Sequence, residues 1–516
     1  MIEIIDNGQC EPGLIYNGVV LHDGRDPMNE ARFQTAELQA SEADIILVFG
    51  VGLGYHLRAL RERWPRSRIT AYEPAPEIKE AFMARTDVLD FGPDRLNWLE
   101  DLDNLGWLVT REIVRGDAGQ TVALISPGYK EAFPREADLF SQIISEARIW
   151  RAVIEKTARE KNPLFLANLL TNLPTVMKLP CLAGLSHRLT GWPGFIVGSG
   201  PSLEKNGHLL RRLEGRGLIL AAGSAYRPLL DMGVRPDMVV ILEAEDTSHF
   251  LGLGPASADV VLALASAAHP HHFQVQGFTL ASFHLTRGAS FLFGSPDHVP
   301  QGGTSGSAAF TLGLLLGLNP LVLLGQDQAF PYGRVHLPGT PGDVPLTPDM
   351  TAFSVRGSDG TAVNTHSGFI ASLHWFAESI NFLKKADPAR VVLNASETGA
   401  HIPGVPDASL NQVIDALTRS SGGVPRLTDL LVHIAPPEPD QVRRRLDQTG
   451  EMIAKLSFIH RRAPDQAGPA LAECRAVNPL LDEILFGLDK TASTSQTTTA
   501  FEEAEKTILA MLEALD

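Results

Sequence analysis

Residues 195–203 read FIVGSGPSL, an apolar run of strand length that stops at Gly198, Ser199, Gly200, Pro201 and Ser202. Residues 203–213 then carry apolar side chains at helical spacing. A buried strand that turns through two glycines into a helix leaves backbone N–H groups uncovered at the helix start, where a phosphate can be cradled. Glycine is needed because a Cβ would meet the anion or forbid φ > 0, and Ser202 can cap the helix or donate to an oxygen. A turn with a serine cap and no ligand would carry the same letters. The turn therefore constrains topology first: a strand that enters a helix this way belongs to a layered α/β structure.

Apolar runs at 218–222, 238–242 and 260–265 follow at even intervals, which predicts parallel strands joined by helical crossovers. The first ends at Gly223 and Ser224, the second at Glu243, Glu245 and Asp246, so polar groups gather where such a sheet binds ligands. Residues 301–327, QGGTSGSAAFTLGLLLGLNPLVLLGQD, repeat the theme. Gly302, Gly303, Thr304, Ser305 and Gly306 precede a helix, and a strand at 321–324 delivers Gly325, Gln326 and Asp327 to the same edge. A helix start with free N–H groups attracts anions, although a Ser/Thr cap and a buried Asp that caps a loop account for the same residues. Asn319 and Pro320 divide the apolar stretch 308–325 into a buried helix, a turn and a strand, against a membrane span. Residues 330–349, rich in Pro and Gly and holding His336, are long enough for a lid or an acceptor-binding loop. His366 precedes a helix through Trp375 and Ile380, and a further strand lies at 391–393. His269, His271, His272 and His284 have no HExxH-type spacing and read as loop or surface histidines.

Upstream, an apolar run at 45–49 is followed by Gly50, Gly52 and Gly54, a helix, a second run at 69–72 and Glu73. This is the layout that holds an adenosine ribose, and it is similar to the nucleotide half of class I methyltransferases. No catalytic motif follows, and a scaffold that keeps the layout only as a folding module, without a ligand, explains the same letters and is the preferred reading. Apolar spacing over 136–182 predicts a helical connector, and 442–459, 471–488 and 501–515 predict helices that could pack on the core, form a homo-oligomer or hold a protein substrate. Between the last two, 491–499 reads as a polar linker, with Thr499 and Glu502 as a capping box. The expected architecture is α/β: an N-terminal Rossmann-like domain (1–135), a helical connector (136–193), a central parallel-sheet Rossmann-like transferase domain (194–435) and a C-terminal helical domain (436–516).

Charge and cysteine content narrow the function classes. With 44 basic and 60 acidic residues the net charge is −16, which opposes nonspecific binding to nucleic acid or anionic lipid. Cys10, Cys181 and Cys474 lie far apart and form no CxxC pair, so a disulfide framework or cysteine metal site is not expected and a reducing cytoplasm fits. The start, MIEIIDNGQCEPG, lacks the basic and apolar regions of a secretory signal.

In combination FIVGSGPSL, the turn at 222–224, Glu243, TSGSAAFTLGLLLG and GQDQAF with His336 beyond it resemble the motility-associated factor glycosyltransferases of flagellated bacteria. The resemblance extends over roughly 194–404, and the upstream FGVGLGYHL with AYEP is similar to that family's N-terminal domain. GSGPSL and the later TSG helix also look like the bacterial sialyltransferases that use a CMP-linked donor. The resemblance implies transfer of a nonulosonic acid, of sialic, pseudaminic or legionaminic type, from its CMP form to Ser or Thr hydroxyls of flagellin before export. Such a donor has a phosphate and a carboxylate flanking the anomeric carbon. Gly198, Ser199, Gly200, Pro201 and Ser202 would take the phosphate, Thr304, Ser305 and Gly306 the carboxylate, with Ser224, Glu243 and Gln326 lining the nucleotide. His336, at the place the flagellar family implies, and His366, in a THSGF that looks like the sialyltransferase histidine–serine pair, are the candidate bases, and Asp327 could orient either, bind the sugar or hold a metal. A DxD motif is missing, so metal-independent chemistry is expected. The archaeal hydroxymethylpterin diphosphokinases share the GxGPSL-type core and would instead move diphosphate from ATP, with Glu243, Glu245, Asp246 and Asp327 available for Mg²⁺. A noncatalytic flagellin-binding scaffold is the third reading.

Overall fold

In a computed structural model of the chain, residues 1–5, 11–85, 96–100, 102, 105, 109, 121–213, 215–251, 257–338, 340, 342–351, 353–417, 423–485 and 494–515 are described. The chain divides into two compact units, Met1–Ala152 and Val153–Asp516. The division falls inside the helix Pro134–Val176, which lies in the stretch expected as a helical connector. Phe140, Ile144 and Ala147 of its first turns are buried in the first unit's core, and its later turns belong to the second unit.

In the first unit β1 (Ile2–Ile5), β2 (Gly13–Tyr16) and β3 (Val19–His22) form an antiparallel sheet. A parallel sheet follows in the order β6-β5-β4-β7, from β4 (Ile45–Phe49), β5 (Arg68–Tyr72), β6 (Leu96–Leu99) and β7 (Thr121–Ile125). Every residue of β4 is buried, as a central parallel strand covered on both faces requires, which is why its sequence, IILVF, shows no alternation.

The second unit is built on β8 (Gly194–Val197), β9 (Leu218–Ala222), β10 (Met238–Ile241), β11 (Ser257–Ala265), β12 (Phe278–Phe283), β13 (Leu321–Leu324) and β16 (Val392–Asn394), all parallel. A separate antiparallel hairpin pairs β14 (Phe353–Arg356) with β15 (Ala362–Thr365). The large sheet has the order β12-β11-β10-β9-β8-β13-β16. From β8 the chain adds strands in one direction as far as β12, then returns to place β13 on the other flank of β8. Connections leaving neighbouring strands in opposite directions open a crevice at their carboxyl ends, so the switch point lies between β8 and β13.

The helical tail differs in detail from the sequence reading. Helices Pro439–Arg462, Pro464–Val477, Leu480–Ile484 and Thr494–Glu513 belong to the second unit, and Pro439–Arg462 packs against Thr494–Glu513 and Arg287–Phe293. The expected linker at 491–499 is helical from Thr494, which places Thr499 inside a helix and not at its cap; residues 491–493 lie outside the described residues. The helix expected at 203–213 is one α-turn, Leu203–Asn206, that tightens into a 3₁₀ segment, Gly207–Leu213. Four α-helical residues align too few peptide dipoles to act as an anion site.

Candidate functional site

The turn after β8 and the turn after β13 touch. Gly198 N–H donates to Leu324 O at 2.8 Å and Gly200 N–H to Gly325 O at 3.0 Å. A Cβ on Gly198 would stand 2.5 Å from the Gly325 carbonyl, and Gly325 itself has φ +61°, so both glycines are fixed by the crossing of two backbones. Beside this crossing lies a cavity of about 270 Å³ at the topological switch point. Of the residues expected in a site, Gly198, Gly200, Ser224, Glu243, Thr304, Ser305, Gly306, Gln326, Asp327 and His336 line it. Pro201, Ser202 and His366 do not.

Ser202 is fully buried and already engaged. Its N–H donates to Asp327 Oδ2 at 2.8 Å and its hydroxyl donates to Asp327 Oδ1. A Cβ on Gly200 would stand 2.6 Å from the Asp327 carboxyl carbon. The expected phosphate cradle is therefore occupied by the chain's own carboxylate, which joins the two turns across the switch point. Burial pushes Asp327 up to about 7, while the two Ser202 bonds pull it back down.

The second helix start also borders the cavity. Thr304 and Ser307 close a capping box on the twelve-residue helix Ser305–Leu316, whose first turn, Ser305 and Gly306, borders the cavity. The Ser305 hydroxyl donates to Glu243 Oε1 at 2.8 Å, and Glu243 Oε2 accepts from Leu242 N–H at 3.0 Å. Burial raises the Glu243 carboxyl, with Ser305 as the main opposing influence. Gln326, 5% exposed, is wedged so that a Cβ on Gly306 would collide with its amide, and its Nε2 has no hydrogen-bond partner. Gln328 is 6% exposed with an unpartnered Oε1 and a left-handed backbone (φ +47°), strain that persists where surrounding structure imposes it. Gln326 and Gln328 both line the cavity, and each keeps one buried side-chain atom without a partner.

A hydroxyl relay reaches the same space. His336 Nδ1 lies 2.7 Å from Ser199 Oγ, which lies 2.8 Å from Ser224 Oγ. Burial lowers His336 below its ordinary value, partly offset by Ser199 and Asp343, so the imidazole is neutral at physiological pH and can accept a proton. His366 has another job: its Nδ1 accepts from Gly368 N–H at 2.9 Å and Phe369 N–H at 3.2 Å, capping the helix Ser367–Ala386, and its ring stacks on Phe369. A side chain spent on a cap is not a free base. Among the described lining residues are two acids, Glu243 and Asp327, and no Lys or Arg.

In the first unit the glycine loop after β4 is filled by protein. Glu73 accepts from Val51 N–H at 2.8 Å and from Tyr129 Oη–H at 2.6 Å, and Tyr129 Oη accepts from Gly52 N–H at 2.8 Å. His22 Nε2 accepts from Leu53 N–H at 3.1 Å. A Cβ on Gly50 or Gly52 would collide with Tyr129 or His22. The loop amides and the acid that could hold a nucleotide satisfy one another, which favours the scaffold reading.

Phe250, Gln328, Val335 and Phe369 also line the cavity and were not expected there from the sequence. Gln328 stands next to Asp327, so proximity was a usable signal for it, whereas Phe250 and Phe369 belong to no motif in the sequence.

The 6-hydroxymethylpterin diphosphokinase MptE-like family model matches residues 167–333, the part of the chain that carries most of the cavity. No curated protein matches the chain. A solved structure of a Maf glycosyltransferase from Magnetospirillum magneticum AMB-1 is similar to it over 100% of this chain and 86% of that one, with 16% identity and a TM-score of 0.48. A Pyrococcus horikoshii protein provisionally named a transferase matches over 26% of this chain and 60% of its own, with 13% identity and a TM-score of 0.15. Likenesses this distant do not speak for chemistry.

Proposed function

We propose that this chain is a glycosyltransferase that holds a nucleotide-activated sugar in the switch-point cavity and transfers the sugar to an acceptor hydroxyl. The observation that carries the reading is convergence: the first-turn N–H groups at Ser305 and Gly306, the unpartnered Gln326 amide and the His336–Ser199–Ser224 relay border one cavity. The helix start and Gln326 would hold the donor's anionic group, in place of the Gly198–Ser202 turn that Asp327 fills. His336 would take the acceptor's proton as the acceptor oxygen bonds the anomeric carbon, and the breaking C–O bond leaves its electron pair on the nucleotide phosphate. Asp327, proton-bearing near neutrality, would admit that phosphate without a full opposing charge.

The motif order supports a CMP-nonulosonic acid donor and Ser or Thr hydroxyls of flagellin as acceptor, in the cytoplasm before export. The match over 167–333 favours a second reading, Mg²⁺-dependent diphosphate transfer from ATP with Glu243 and Asp327 near the ion. Thermal shift with CMP, CTP and ATP, with and without Mg²⁺, separates them. Stabilisation by CMP supports the glycosyltransferase, stabilisation by ATP only with Mg²⁺ supports the kinase, and no shift with any nucleotide refutes both.

A further inference from the structure

Outside the cavity, the loops that follow β10 and β11 bring three chemically distinctive side chains together. Asp246 Oδ2 lies 2.8 Å from His271 Nδ1, and His269 Nδ1 accepts from His271 N–H at 3.3 Å. One oxygen of Asp246 and one ring nitrogen from each histidine all lie within 4.8 Å of one another. Asp246 and His271 are exposed and His269 is half-buried.

The two loops are held in place by the long helix and by each other. Asn168 Nδ2 donates to Ala244 O at 2.9 Å and Ala267 O at 3.3 Å, and Asn172 Nδ2 donates to Ser266 O at 3.0 Å and Ala268 O at 2.7 Å. His269 N–H donates to Glu243 O at 2.9 Å, and His272 Nε2 accepts from Thr247 N–H at 3.1 Å. Asp246 Oδ1 accepts from Ser248 N–H at 3.0 Å, which orients the carboxylate. Both asparagines are buried, so amides that could have been apolar are used to fix the two segments that present Asp246, His269 and His271.

We propose that Asp246, His269 and His271 form a binding site for one divalent transition-metal ion, Zn²⁺ in preference to Mn²⁺ and either in preference to Mg²⁺. Two imidazoles and one carboxylate are a donor set for borderline transition metals, whereas Mg²⁺ selects oxygen ligands and keeps its water. The ion replaces the hydrogen bond between Asp246 and His271, and Ser248 N–H serves as the outer partner of the ligating carboxylate. With two of three ligands exposed, the remaining coordination positions are open to water or an anion. The site adjoins the cavity through the chain: Glu243, whose carbonyl receives His269 N–H, and Phe250 both line it. The proposal does not depend on the transferase reading.

The test is isothermal titration of tag-free full-length chain, stripped with chelator, with ZnCl₂, MnCl₂ and MgCl₂ separately. One Zn²⁺ per chain is expected, with weaker Mn²⁺ and no Mg²⁺ binding. Asp246→Ala, His269→Ala and His271→Ala should each weaken Zn²⁺ more than about 100-fold, beyond the loss that follows removal of an outer-shell partner. Cys474→Ser should leave binding unchanged. Circular dichroism and Tm of each variant establish that it is folded, and Co²⁺ loading gives a visible absorption band that His271→Ala should abolish. Absence of stoichiometric Zn²⁺ in the parent overturns the proposal, as does Zn²⁺ that survives in the folded triple variant.

Discussion

Replacing Asp327 by Asn should stabilise the protein, and more so as pH rises. The carboxyl is 3% exposed and raised from 3.8 to about 7, because burial disfavours its charged form more than Ser202 favours it. Below pH 4 both the folded and unfolded chains carry the proton and nothing is lost. Between about 4 and 7 the unfolded chain releases it while the folded chain retains it, so folding becomes less favourable with each pH unit. The penalty amounts to about 2 kcal/mol at pH 5 and up to about 4 kcal/mol above pH 7. Asn keeps the shape, accepts from Ser202 N–H through its amide oxygen and donates to the Ser202 hydroxyl, and never ionises. Other buried acids are common to both proteins and cancel in the comparison. Tm measured by differential scanning fluorimetry at pH 5 and pH 8 should show the advantage of Asp327→Asn growing by a few degrees at the higher pH. An advantage that is constant, or that shrinks as pH rises, refutes the assignment of a proton-bearing carboxyl to the switch point. The same linkage should weaken the binding of anionic nucleotides as pH rises past 7, and Asp327→Asn should flatten that dependence.

The remaining expectations concern individual side chains. His336→Ala should lower kcat for sugar transfer by roughly 10²–10⁴-fold while leaving donor Kd nearly unchanged, as measured by initial rates and titration; an equal loss in both would make it a binding residue. His366→Asn should keep the helix cap and retain activity, whereas His366→Ala should lose about 1 kcal/mol of stability in denaturant unfolding; a transfer rate abolished in His366→Asn would restore it as the base. Gly52→Ala, at φ +52° and against His22, should destabilise the first unit, seen as an earlier unfolding phase, and equilibrium dialysis with S-adenosylmethionine should detect no binding to the parent chain.

Much of the second unit's sheet was readable because parallel strands buried on both faces must be continuous apolar runs, as at 195–197, 218–222 and 321–324. Polar residues that follow those runs, Ser199, Ser224, Gln326 and Asp327, are part of the cavity lining. What distance along the chain conceals is how these residues pair. Ser202 and Asp327 stand 125 residues apart, and only the adjacency of β8 and β13 turns an apparently free hydroxyl cradle into a closed contact. His366 looked like a base because its role depends on the start of the following helix, which the sequence located without revealing which group caps it. The plugging of the first glycine loop was hidden likewise, since His22 and Tyr129 come from segments on either side of it. The split of 203–213 into an α-turn and a 3₁₀ segment had no signal in apolar spacing, which suits both.

In the proposed transferase the unpartnered Gln326 amide contacts the ligand in the switch-point cavity. Isothermal titration of CMP into the parent and into Gln326→Leu measures this directly, with Tm recorded for both. The expected result is CMP binding by the parent, at least about tenfold weaker binding by the variant, and an unchanged or higher Tm in the variant because a buried unmet donor has been removed. Equal affinity in the two proteins, or no CMP binding by the parent, contradicts it.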